Sequence, residues 1–386
     1  MPALLPPLRL TGAIALRDGR LRQRSVGIAD GRFTSGPLPA VDLSGYLLLP
    51  GIVDLHAEGP RHRAATTAAD LAHRDGEAAS HGVTTRFLSV PWSWEGPGVA
   101  PPAAVAALAA LTDYRSHALT DLRPQLACDA LLTSGAGRLV DLVRDAGVEL
   151  VLFTDRAARA QEMRLNDREA FDRLARTHGV SAEALTAALD GVLANSRARP
   201  RHLCDLAEAF DDLGVAYGSV GDDSAETREH FSMIGARFCL APGTARAAAA
   251  AKAVGDPVLA LAADPVAPDA AAPGPRLATL VQNGLCDALV SGTQSAAPYA
   301  AAFRLAELGL LPLERAWRLV SEAPAEIHGL PDRGTIAPGK RADLIVVHAG
   351  TRRVEATIAA GRLVFLTGEA ANRFFGTLSP VRLAAE

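Results

Sequence analysis

The sequence predicts an α/β chain built as a (β/α)8 TIM-like barrel with a small β-sandwich assembled from both chain ends. Three observations predict it. Short apolar runs alternate with alanine-rich helical stretches through the middle of the chain, the pattern of βα units around a parallel sheet. Turn-punctuated, β-rich runs occupy the two ends. A length of 386 residues suits one barrel with a small accessory unit.

Taken in order, Ala13–Leu21, Ser25–Ala29 and Gly31–Thr34 read as hairpins, because Asp30-Gly31 supplies the positive φ angles of a tight turn. Eight strands are then predicted at Ile52–Leu55, Thr84–Ser89, Arg123–Cys128, Glu149–Thr154, Ala216–Val220, Arg237–Leu240, Val258–Ala262 and Ala288–Ser291. Between them, Ala103–Leu111, Ala182–Leu189, Thr244–Val254 and Leu313–Ser321 read as helices. Thr67 with Asp70 resembles a capping box that opens a further helix, closed by His81-Gly82. The Pro/Ala stretch Val266–Pro275 reads as loop. The β texture returns at Ala342–Val347, Val354–Ala359 and Arg362–Leu366. Neither β end has strands enough to bury an apolar face alone, so the two are expected to pair. The expected division is a composite sandwich of residues 1–50 and 333–386 around a barrel of residues 51–332.

Composition narrows the function. With 49% hydrophobic residues, 21% charged residues and a net charge of -4, nothing favours a polyanion, so a nucleic-acid partner is not expected. The opening MPALLPPLRL lacks a basic segment followed by an apolar core, and no run approaches the ~20 apolar residues of a membrane span. A cytoplasmic protein acting on a small molecule, away from membranes, is the expectation. Cys128, Cys204, Cys239 and Cys286 show no CxxC spacing and read as free thiols.

Two motifs carry a family resemblance. Leu49-Pro50-Gly51-Ile52-Val53-Asp54-Leu55-His56 resembles the start of the first barrel strand of the amidohydrolase superfamily, where the first metal histidine stands. The run from Asp332 to Val346, including Gly339-Lys340-Arg341-Ala342-Asp343, resembles that superfamily's return from barrel to sandwich. Within it, the chain is most similar to the α-D-ribose 1-methylphosphonate 5-triphosphate diphosphatases of phosphonate metabolism. That similarity lies in His81–Thr85, Leu126–Asp129, Leu152–Asp155, Gly218–Asp223, Gly284–Ser291 and Ala301–Ala306.

The resemblance implies a mouth at the C-terminal strand ends, where imidazoles and carboxylates hold one or two divalent ions and activate water. It puts His56 and Glu58 forward as metal ligands, with Asp129 as a further oxygen donor. Beyond these the pattern departs from the family. Where relatives have Asp-His after the fourth strand, this chain has Asp155-Arg156, and a guanidinium cannot ligate a cation. Val220 stands where an imidazole is expected after the fifth strand, and Gly292 where an acid is expected after the eighth. Lys252 and Lys340 are the only lysines and neither falls at a strand end, which excludes a carboxylated-lysine bridge.

The cofactor implied is therefore one weakly held zinc or manganese ion, with a metal-free mouth as the alternative. Asp129, Asp155, Asp222 and Asp223 are the candidate catalytic carboxylates, with loop capping or salt bridging as their ordinary role. Arg61, Arg123 and Arg156, with Arg63, are candidates for an anion-binding rim. The functional expectation is a hydrolase with a reduced or metal-free site acting on a small polar or anionic substrate. Its alternative is a catalytically degenerate barrel serving as a binding or partner subunit, and a homodimer is the assembly barrels of this type often adopt.

Overall fold

The computed structural model describes residues 2–59, 67–262 and 274–378. Seven strands precede the barrel: β1 (Leu8–Thr11), β2 (Ile14–Arg17), β3 (Arg20–Gln23), β4 (Val26–Ala29), β5 (Arg32–Thr34), β6 (Ala40–Asp42) and β7 (Tyr46–Pro50). Asp18-Gly19 and Asp30-Gly31 turn the first two hairpins with all four residues at positive φ, the geometry that matches strand twist in two-residue loops.

The chain then winds through β8 (Ile52–Glu58), α1 (Ala68–Ser80), β9 (Val83–Trp92), α2 (Pro101–Tyr114), β10 (Asp121–Asp129), α3 (Ala136–Asp145) and β11 (Leu150–Thr154). Four helices follow before the next strand: α4 (Arg156–Asn166), α5 (Arg168–Thr177), α6 (Ala182–Leu193) and α7 (Arg199–Leu213). The second half runs β12 (Ala216–Val220), α8 (Ala225–Met233), β13 (Phe238–Leu240), α9 (Ala245–Ala253), β14 (Val258–Leu261), α10 (Leu277–Gln282), β15 (Ala288–Val290), α11 (Ala297–Glu307), α12 (Leu313–Arg318) and α13 (Glu322–Ile327). It ends with β16 (Leu344–His348), β17 (Val354–Ala359), β18 (Arg362–Leu366) and α14 (Gly368–Leu378).

Strands β8 to β15 pair in sequence order and in parallel as one eight-stranded sheet. The seam closes through a parallel bridge between Ala57 and Gly292, where the Glu58 amide donates to the Gly292 carbonyl at 2.7 Å. All eight expected barrel strands are present: β8, β9 and β10 run longer than the sequence indicates, β12 has the expected bounds, and β11, β13, β14 and β15 are each one residue shorter. Inside the barrel, Val53, Leu55, Phe87, Leu152, Leu240, Leu259 and Val290 form one buried cluster. Burying each such side chain contributes about 1.5–3 kcal/mol, so the interior is a packed core rather than a channel. Just before β8, a Cβ on Gly51 would collide with the Thr84 side chain, which is why a glycine joins β7 to β8.

The two chain ends share a six-stranded sheet, ordered β18-β17-β16-β7-β2-β3, while β5-β4-β1-β6 form a second sheet of four. Leu8, Leu10, Val26, Ile28, Leu48, Leu344, Val346 and Ile358 bury their side chains between them. Thr67 caps α1 by accepting from the Asp70 amide at 3.1 Å, and His81 with Gly82 closes it, as the capping signals indicate. Helices α3, α4, α5, α7, α8, α10, α11, α13 and α14 are not among those the sequence indicates. The α4–α6 group packs its own small core around Phe171, Leu185 and Leu189.

The Gly339–Asp343 run is tied to the strands' N-terminal ends. Asp121, at the start of β10, meets Arg123 at 3.1 Å, Arg333 at 2.5 Å and Arg341 at 3.0 Å. Burial opposes ionisation, but the Arg123 guanidinium and then Arg333 and Arg341 hold the Asp121 carboxyl well below the usual carboxylate range.

Candidate functional site

His56 lies near the end of β8 and is 2% exposed. Its Nδ1 is 2.6 Å from Gln125 Oε1 on β10, and the Gln125 amide nitrogen donates to the Leu55 carbonyl at 2.7 Å. That second bond fixes which amide atom faces the ring, so Nδ1 carries the hydrogen and donates. Nε2 is left facing Glu58 Oε1 at 3.4 Å, a long contact.

Register places the other carboxylates farther out. Glu58 pairs with Ser89 and Ser89 with Gln125, so Asp129 stands four residues beyond Gln125, about 13 Å along its strand at the usual rise. Asp129 is 2% exposed, and both its oxygens are engaged by backbone amides: Leu131 donates at 2.9 Å and Arg156 at 3.0 Å. Burial pushes its carboxyl up to about 6, reinforced by the nearby Asp155 and Glu95 charges.

A second group gathers at the base of α4. The Arg156 guanidinium donates to Glu95 Oε2 at 3.1 Å, and Ser93 Oγ donates to the same oxygen at 3.1 Å. His178 Nε2 is 3.6 Å from the other Glu95 oxygen. Asp155 caps α4 by accepting from the Ala158 amide at 3.0 Å, and pairs with Arg199 of α7 at 2.7 Å. The insertion between β11 and β12 thus docks on the strand ends through Glu95, Asp129 and Asp155.

Two expectations, for Asp222 and Arg123, need correcting by position. Asp222 follows β12 but turns away from the barrel axis: it accepts from Ser219 Oγ at 2.7 Å and pairs with Arg228 Nη1 of α8 at 3.3 Å. The cause is alternation along β12, where Ser219 faces the helix layer on the side of Tyr217, and the fully buried Arg228 there requires a counter-charge. Asp223 accepts from Thr227 Oγ1 at 2.8 Å beside the first turn of α8. Arg123 stands at the opposite end of β10 from Asp129, held by Asp121 and by Glu149 at 2.5 Å, and does not ring the mouth. Arg61 and Arg63 lie outside the described residues, as does most of the Val266–Pro275 loop.

Sequence reasoning passed over Gln125, Glu95, His178, Arg199 and Asp54. Gln125 was within reach of the two-residue alternation that leads from Asp129 back along β10. Asp54, fully buried, accepts from Ser291 Oγ at 2.5 Å and faces Arg86 Nε at 3.7 Å, fastening the seam beside Gly292. Gly292 has φ +56, and a Cβ there would meet Leu261 Cδ2 at 2.9 Å, so a side chain at this position is strained.

A hydrolytic zinc takes three protein ligands and a water. Among the described residues, no group of three His, Cys, Asp or Glu side chains is arranged to hold a metal. His56 and Glu58 meet as a pair, while Asp129 is saturated by amides, so these residues do not fit the ion that the resemblance implies. No helix among the described residues is long and apolar enough to cross a membrane.

Comparison with known proteins agrees with the fold. A 62-residue stretch is 50% identical to the adenine deaminase of Gluconobacter oxydans (strain 621H), covering 16% of this chain and 11% of that protein. A 71-residue stretch is 44% identical to the alpha-D-ribose 1-methylphosphonate 5-triphosphate diphosphatase of Escherichia coli (strain K12), covering 18% of this chain and 19% of that protein. The beta-aspartyl dipeptidase of Fervidobacterium islandicum AW-1, solved with a beta-Asp-Leu dipeptide, superposes with a TM-score of 0.62 over 95% of this chain and 97% of its own, at 16% identity. The Amidohydrolase family pattern matches residues 136–364, more than half of the chain. With that match, the closed eight-stranded barrel and the shared sandwich, the chain belongs to the amidohydrolase family.

Proposed function

We propose that this amidohydrolase-family barrel binds a small polar or anionic molecule at its mouth and runs no hydrolysis through a tightly held metal ion. One observation carries the reading. Arg156 stands where the resemblance calls for a ligating imidazole, and its backbone and guanidinium occupy Asp129 and Glu95, two of the mouth's carboxylates. Val220 and Gly292 stand at the other two departures. The small-molecule preference rests on the family, on Arg156 after β11 and on Arg199 of α7, which pairs with Asp155 there; Arg61 is a proposed addition. We take residues 1–50 and 333–386 as one unit around the barrel of residues 51–332, in a cytoplasmic protein.

A second reading is a hydrolase with a reduced site at His56 and Glu58. What favours it is Gln125, since an imidazole whose Nδ1–H is anchored presents Nε2 in the manner of a metal ligand. The test is turnover of a panel comprising a cyclic amide, a β-aspartyl dipeptide, adenine and a ribose 5-triphosphate, with added zinc or manganese, by wild type and His56→Ala. The first reading expects no metal-stimulated turnover that distinguishes the two proteins. Metal-dependent turnover lost in His56→Ala would establish the second.

A further inference from the structure

Four strands end the two sandwich sheets: β18, β3, β5 and β6. Three of these edges are met by other parts of the chain, that of β18 at its first residue only. Along β6 lies α14, whose Arg373 donates to the Asp42 and Ser44 carbonyls. Beside β5 runs the return from the barrel, with the Phe33 amide donating to the Lys340 carbonyl at 2.9 Å and the Gly339 amide to the Phe33 carbonyl at 2.8 Å. At β18, Leu4 bridges to Arg362 and the Leu5 amide donates to the Gly361 carbonyl at 2.9 Å. Among the described residues, nothing comparable reaches β3, which makes no backbone hydrogen bond except to β2.

The β2–β3 register shows which groups are exposed. A two-residue loop makes Arg17 and Arg20 a hydrogen-bonded pair, so Ala15 and Arg22 form the next one. The backbone N–H and C=O of Leu21 and Gln23 then point outward, away from β2. Arg20, Arg22 and Arg24 are exposed beside them, and none has an ion pair among the described residues. Arginines on an open edge repel a second β3 brought alongside, so a copy of this chain is disfavoured there. The same charges attract a strand of opposite sign.

We propose that β3 is a docking edge that takes up an extended acidic segment of a partner protein as an added strand. Backbone bonds at Leu21 and Gln23 give the register and Arg20, Arg22 and Arg24 give the charge preference.

The probe is a fluorescein-labelled peptide of alternating valine and glutamate, eight residues long, titrated into the full chain at physiological salt. Controls are a lysine-for-glutamate peptide and an equally acidic peptide with proline at every valine position. Expected are saturable binding of the first peptide alone and slowed hydrogen exchange at residues 21 and 23. Gln23→Pro, which removes one outward N–H without changing charge, should weaken binding about tenfold. Arg20→Glu with Arg22→Glu should exchange the preference to the lysine peptide. Equal binding of the proline peptide would overturn strand addition in favour of plain attraction to polyanions. Protection of residues 21 and 23 without peptide, in a concentration-dependent dimer, would assign the edge to a second copy. No binding at millimolar peptide by wild type, with residues 21 and 23 still exchanging freely, would reject the docking edge.

Discussion

Arg228 Nη1 and Asp222 Oδ2 lie 3.3 Å apart, with the Arg228 side chain fully buried and that of Asp222 1% exposed. Arg228 also donates to the Ser219 hydroxyl and the Phe238 carbonyl, and its other terminal nitrogen lies 3.3 Å from Asp256. A permanent charge in this position is tolerable only with that full set of partners. It explains why an aspartate that sequence spacing assigns to the mouth is committed to the wall between β12 and α8.

Replacing Arg228 by Met should therefore destabilise the chain by about 3–5 kcal/mol, because Asp222 is left buried without its cation. Urea unfolding followed by far-UV circular dichroism measures this. A loss below about 1 kcal/mol would mean the pair is dispensable, and Asp222 would be free to serve the mouth.

Gln125→Leu should cost about 1–3 kcal/mol, since it strips an acceptor from His56 Nδ1 and a donor from the Leu55 carbonyl in one step. The same denaturation experiment reads it. Nitrogen NMR of the His56 ring should show mixed tautomers in the variant, where wild type shows the Nδ1–H form.

Stability should fall as pH rises from about 4 to 6 by a component that belongs to Asp129. Burial raises its carboxyl to about 6 in the folded chain, against an ordinary 3.8. The folded state therefore binds more protons than the unfolded state in that window, and the difference is on the order of 2–3 kcal/mol. Asp129→Asn should flatten that slope in denaturant titrations at pH 4.5, 5.5 and 7. Asp121 works in the opposite sense. Its depressed carboxyl contributes stability above its unfolded value, lost as pH falls below about 4.

Ending the chain at Pro338 removes β16, β17, β18 and α14, leaving β7 without its antiparallel neighbour β16. Hydrogen exchange should then rise throughout β1 to β7, because two N-terminal sheets without that partner expose the face shared with Leu344 and Ile358. Preserved protection of Leu8–Thr11 in the shortened chain would show that the N-terminal strands hold together alone.

The barrel was legible because its determinants are local. Apolar runs bounded by helical stretches report buried parallel strands, and Asp30-Gly31 or Thr67 with Asp70 report turns and caps within four residues. Site geometry was legible only where it follows from the strand itself, as at His56 and Glu58. Asp222 shows the limit: whether it faces inward depends on Arg228 of the following helix, and no local pattern announces that an arginine is fully buried. Gln125 and Glu95 were missed for a related reason. Their importance comes from contact with His56 and Arg156, residues 69 and 61 positions away. Arg123 was misplaced along the barrel axis because a charge near a strand reads the same at either end.

The most direct test of the central claim is the metal content of the purified chain, by elemental analysis, together with its melting temperature before and after chelation. Zinc, manganese and iron should each be found well below one ion per chain, and chelator should leave the melting temperature in place in wild type and His56→Ala alike. One or more tightly held ions per chain, released only with a fall in melting temperature and absent from His56→Ala, would contradict it and make the mouth an ordinary metal centre.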